Sequence, residues 1–80
     1  MDNQIILSLM STGDKRAVMM FAKANMNLSK AARLAYLSRQ SMWYRLNRVR
    51  KETGFNPFDF HDLARLVRAI EDERRMYEEQ

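Results

Sequence analysis

The chain has 80 residues, 46% of them hydrophobic and 30% charged, with a formal net charge of +4 and no cysteine. That length supports one domain with a thin core, and a cleft of the roughly 300 Å³ that a small-molecule enzyme site needs would consume much of it. The lack of cysteine excludes disulfides and thiolate metal sites, no apolar run approaches the roughly 20 residues of a membrane span, and no signal peptide is visible, so the composition implies a cytoplasmic protein.

With two glycines and one proline there is little punctuation for a sheet, and apolar residues recur at spacings of three and four. The fold class expected is all-α, a small bundle of four or five helices. It divides into an N-terminal segment, 1–12, and a domain, 13–80. Within the first, Ile5, Ile6, Leu7, Leu9 and Met10 fit a short helix or a strand; as a strand, the segment would offer a pairing edge to a second copy. A helix is predicted over about 14–24, capped by Thr12 or Asp14, with Ala17, Val18, Phe21 and Ala22 in its apolar stripe and Asn25 as its stop. Asn27 then caps a short helix, 28–35, whose Ala31 and Ala32 let a neighbour come close.

Tyr36 and Leu37 form a tight turn, and Ser38 caps a helix over 39–53. There Met42, Leu46 and Val49 recur at i, i+4 and i+7 as one core-facing line. Tyr44 is expected to pack against the last helix. Gly54 ends the element, since a left-handed cap suits glycine. Phe55 to Phe58 read as a loop, with Asn56 or Asp59 capping a final helix over 60–78. Leu63, Leu66, Val67 and Ile70 face inward there, and the charged end, 71–80, is expected to fray.

Charge is unevenly placed. From Lys15 to Lys51 there are ten basic residues and no acid, whereas after Asn56 four arginines stand against seven acids. An acid-free block of this kind favours a polyanion, whose counterions it releases on binding. No nucleophile stands beside a base, no glycine-rich phosphate loop occurs, and His61 lacks the companions a metal would need, so the reading is not an enzyme and includes no cofactor or metal.

The segment from Asn27 to Met42 has the grammar of two helices that cross steeply: a polar cap, Ala32 where the helices touch, a turn at Tyr36, Leu37 as an apolar plug, and a second cap at Ser38. Such a pair holds its second helix as a lever for the major groove of DNA, about 12 Å wide. The segments NLSKAARLAYLSRQSMWYRLNRVRKETG and FNPFDFHDLARLVRAI resemble the C-terminal helix-turn-helix of PucR-type and sugar-diacid-type bacterial transcription regulators, and more distantly the DNA-binding half of Fis-like nucleoid proteins. The resemblance runs from about Asp14 to Ile70 and rests on Ala31-Ala32, Ser38-Arg39, Tyr44-Arg45-Leu46 and Thr53-Gly54 together. It departs from the family at Arg39-Gln40-Ser41-Met42, where Arg-Asn-Thr-Leu is usual, and at Trp43, where a polar or basic residue is usual. Larger members of the family carry sensor domains ahead of this module; none is visible here, and no small-molecule effector site is evident.

These readings imply sequence-selective binding to double-stranded DNA by a homodimeric, nucleoid-associated transcription regulator, with recognition helix 39–53. Arg39 and Gln40 are expected at base edges, since arginine pairs bidentately with guanine and glutamine with adenine. Ser38 and Ser41 cap or touch phosphate, Trp43 packs half-buried or meets a thymine methyl, and Arg45 and Arg48 take phosphates. Lys30 and Arg33 add backbone contacts from the preceding helix. The competing reading is a protein-interaction module that modulates a larger regulator, with Trp43, Tyr44 and the Ile5–Met10 stretch as its docking surface.

Overall fold

A computed structural model describes residues 2–78. Five helices follow in order: α1 (Asn3–Ser8), α2 (Thr12–Lys23), α3 (Leu28–Leu34), α4 (Arg39–Thr53) and α5 (Phe60–Glu78). No strand occurs among the described residues.

The ambiguous first segment is a helix, so it offers no strand edge to a second copy. Asp2 caps it by accepting the Gln4 amide, and Ile6, Leu7 and Met10 are buried. The cap of α2 is also corrected. Ser11, one residue before the expected Thr12, accepts the Asp14 amide, while Asp14 at the third helical position reaches back to the Ser11 amide. This reciprocal capping box satisfies two of the amides that a helix start leaves unpaired.

The next two turns use one device. Asn25 (φ 54) and Tyr36 (φ 57) take the left-handed conformation, followed in the first turn by a second left-handed residue, Met26 (φ 64). Beyond them, the Met26 amide donates to the Phe21 carbonyl and the Leu37 amide to the Ala32 carbonyl, the six-to-one closure of a Schellman cap. Leu37 thereby turns its side chain back onto the core as the plug between α3 and α4. Asn27 and Ser38 cap α3 and α4 through the amides of Lys30 and Ser41.

Ala31 and Ala32 are buried where α3 meets α2 and α4. The core line of α4 is as the spacing predicts: Met42, Leu46 and Val49 are wholly buried. Thr53 closes the helix by donating to the Val49 carbonyl and accepting the Phe55 amide, and Gly54 follows at φ 80. The loop then folds inward, with Pro57 fully buried and the Phe58 ring edge-on to Phe21 at 5.4 Å. Asp59 caps α5 by accepting the Asp62 amide, and Leu63, Leu66, Ala69 and Ile70 are buried.

Within the stretch expected to fray, 71–80, the described residues are helical to Glu78, and Glu79 and Gln80 lie outside them. Two of the later acids of α5 are tied down. Glu73 pairs with Lys15 of α2 at 3.1 Å, and Asp72 accepts from Asn3 of α1 and from Arg75. Tyr44 is the other correction: it does not pack on α5 but stands 63% exposed.

Candidate nucleic-acid interface

Burying Met42, Leu46 and Val49 fixes what α4 shows to solvent. At about 100° per residue, Tyr44 lies about 200° round the helix from both Met42 and Leu46. It is therefore at the centre of the outer face, in a row with Gln40, Asn47 and Lys51. Gln40, Tyr44 and Lys51 are exposed and Asn47 is half-buried. One flank of the row carries Ser41, Arg45 and Arg48; the other carries Arg39, Trp43 and Arg50. The expectation for Tyr44 failed on this arithmetic, since a residue two places from both members of a buried line cannot share their face.

A cleft of about 460 Å³ runs along the first flank, lined by Leu37, Gln40, Ser41, Tyr44, Arg45 and Arg48. A second, of about 390 Å³, lies between the starts of α3 and α4 and is lined by Leu28, Arg39, Gln40 and Trp43. Trp43 is half exposed, its indole bordering the second cleft. Ser38 and Ser41 bond to each other through their hydroxyls at 2.9 Å while Ser38 caps the helix. Lys30 and Arg33 are exposed on α3. All nine residues singled out by sequence thus lie on α3, on α4 or at the α4 cap, and each keeps some exposure.

The basic block is less uniform than its sequence. Arg48 donates through Nη2 to Asp14 Oδ1 at 2.5 Å, with side-chain exposures of 42% and 5%. This hydrogen bond, with the charge of Asp14, holds the Arg48 guanidinium above the ordinary arginine pKa. Lys15 is likewise paired, with Glu73. Among the described residues no ion pair engages the other eight cations of the block, among them Lys30, Arg33, Arg39, Arg45, Arg50 and Lys51. His61 is exposed, with its ring edge-on to Phe60. No group of His, Asp and Glu among the described residues is placed to hold a metal, and no helix is long and apolar enough to cross a membrane.

The family model described as the PucR C-terminal helix-turn-helix domain matches residues 16–71, which is 56 of the 80 residues. That span includes α3, the turn, α4 and most of α2 and α5. No curated protein and no solved structure matches the chain.

Proposed function

The chain belongs to the PucR C-terminal helix-turn-helix family, and from that premise we propose that it binds double-stranded DNA sequence-selectively and regulates transcription, with α4 as the recognition helix. The observation that carries the proposal is the outer face of α4: a polar row of Gln40, Tyr44, Asn47 and Lys51, flanked by arginines on both sides and braced from behind by α3. Laid in a major groove, such a helix meets base edges with its N-terminal residues. Arg39 and Gln40 supply the bidentate donors and acceptors that tell guanine and adenine apart. Arg45, Arg48, Lys30 and Arg33 fix the register on phosphates, with the hydroxyls of Ser38 and Ser41 beside them, and Trp43 meets sugar or a thymine methyl.

The working form is a homodimer in the cytoplasm, associated with the nucleoid. Two copies place their recognition helices about 34 Å apart, one turn of the duplex. Apolar surface available for pairing includes Ile5 on α1 and Leu9 at its C-cap, with Met76 and Tyr77 on α5, all exposed in the single chain.

Fluorescence anisotropy on labelled duplexes across a salt series tests the reading, beside a random-site selection. Affinity is expected to fall with salt at about 0.9 log units per log unit for each phosphate contacted, and the selection to converge on one motif. An affinity that is flat in salt, or a selection without a motif, rejects sequence-selective DNA binding. The exposure of Trp43, Tyr44 and Ile5 favours a second reading, a protein-docking module. It gains if the protein ignores duplex DNA at low salt and binds a protein partner in a manner abolished by Trp43→Ala.

A further inference from the structure

We propose that the first turn of α2 is a seat for the two arginines on one flank of the recognition helix, with Gly13 and Asp14 as the positioning residues that aim Arg45 and Arg48 at the DNA backbone. The inference rests on the DNA-binding reading of α4. Neither residue falls within the span that the family model matches, 16–71.

Two separate observations meet at this turn. Arg45 and Arg48 are three residues apart on α4, so both project from the same flank. Arg48 bonds to Asp14, whose carboxylate is almost wholly buried and also serves the capping box through its other oxygen. Arg45 lays its guanidinium over Gly13, against the space a β-carbon would fill: a methyl group built there collides with Arg45 Nη1 and has no other close neighbour beyond the Arg45 guanidinium carbon and the Ser11 hydroxyl. Glycine at position 13 therefore leaves room for a side chain from another helix, and a β-carbon there would displace the Arg45 guanidinium from where it lies. Its backbone is ordinary helix, so the requirement is one of space and not of φ. Both arginines then border the cleft that also contains Gln40, Ser41 and Tyr44.

The seat limits what each arginine can do. An unrestrained arginine on a helix surface samples many rotamers and loses that freedom when it grips a phosphate. Here the Asp14 contact fixes Arg48 before DNA arrives, and the packed glycine restricts Arg45. The guanidiniums are pre-aimed, so less is lost on binding.

Gly13→Ala separates positioning from folding. Alanine inside a first turn favours the helix over glycine, and the only atoms that must move belong to the flexible end of Arg45. The variant should melt at or above the wild-type temperature and yet bind duplex DNA more weakly. Loss of one phosphate contact lowers the salt slope by about 1 and weakens binding about eightfold near 0.1 M salt, from a slope of about 0.9 per contact over one decade. In an Arg45→Ala background the same change should have no further effect, since the displaced group is already gone. The Nε–H NMR signal of Arg45, followed without DNA, should shift on Gly13→Ala while that of Arg48 holds. Unchanged affinity and salt slope in Gly13→Ala, an equal loss with and without Arg45, or an unmoved Arg45 signal would each overturn the seat while leaving the DNA reading intact. Failure of the wild-type protein to bind duplex DNA at low salt would overturn the DNA reading and the seat's function with it.

Discussion

Tyr44 and Leu46 stand two residues apart on one helix, and the fold assigns them opposite work. Leu46 is wholly buried and Tyr44 is 63% exposed. Truncating a buried leucine to alanine costs about 2–5 kcal/mol, the lost transfer energy plus the cavity left behind. Tyr44 buries about a third of its side chain, so about 1 kcal/mol of burial is at stake, and the better helix propensity of alanine returns about half of that. In a domain of this size 1 kcal/mol moves the melting temperature by about 4–8 °C. Leu46→Ala should therefore lower Tm by about 10 °C or more, and Tyr44→Ala by about 5 °C or less, followed by far-UV circular dichroism. The order reverses on DNA. Tyr44→Ala should weaken binding about five- to tenfold, the effect of one lost contact at a base edge, in a protein that is still folded. A loss of about 3 kcal/mol or more from Tyr44→Ala, matching Leu46→Ala, would mean that the ring is packed as the sequence suggests, and the outward row on α4 would be wrong.

The other predictions test single features of the fold and face. Gln40→Ala should change the motif recovered in a random-site selection, whereas Arg45→Ala should weaken binding to all duplexes alike; a motif that survives Gln40→Ala unaltered removes Gln40 from base recognition. Tyr36 is left-handed and almost fully exposed, so Tyr36→Asn should relieve up to about 1 kcal/mol of backbone cost and raise Tm by several degrees; an unchanged or lower Tm would show that the ring itself holds the turn. Gly54→Ala meets nothing within 4 Å, so its cost is conformational alone, about 1 kcal/mol or more at φ 80, and Gly54→Asn should recover most of it, as denaturant titration can determine.

Much of the helix-turn-helix was legible because its instructions are local. The caps Asn27 and Ser38, the buried alanines, the apolar line of α4 and the glycine at its end each act within a turn or two of themselves, and each fell where spacing placed it. Part of what escaped the sequence depends on distant partners. The start of α2 does not: Ser11 and Asp14 are three residues apart, and their Ser-x-x-acid spacing is a capping-box signature in the sequence itself, read there as a cap at Thr12 or Asp14. The acidic end of α5 reads as a solvated, fraying run until Asn3 and Lys15 are brought beside Asp72 and Glu73. Segment 3–11 is too short for its periodicity to decide between helix and strand, and it became a helix with Asp2 as its cap and α5 as its support. Tyr44 was a different kind of miss, since the angles of the already recognised Met42–Leu46–Val49 line contained the answer.

The ion pairs also change how the acid-free block is to be understood. Two of its ten cations, Lys15 and Arg48, are claimed by acids that flank or lie beyond the block: Glu73, and Asp14 at its very edge. Each joins α2 to another helix, Lys15 to α5 and Arg48 to α4. Both acids are at least partly buried, and neither contact sits on the outermost row of α4. A uniformly basic surface would bind any polyanion and fix no geometry, because exposed charges contribute affinity without register. Here two pairs hold α2 against its neighbours, one of them through Arg48, which keeps 42% of its side chain exposed on the flank of α4, while among the described residues the other cations of α3 and α4 make no ion pair. The same arrangement predicts that Lys15→Met, which removes a cation paired with Glu73 of α5, should leave the salt slope of DNA binding unchanged although it lowers the net charge by one. A slope reduced by about 1, as for loss of a phosphate contact, would show that Lys15 abandons Glu73 for the duplex and that the block acts as one undivided surface.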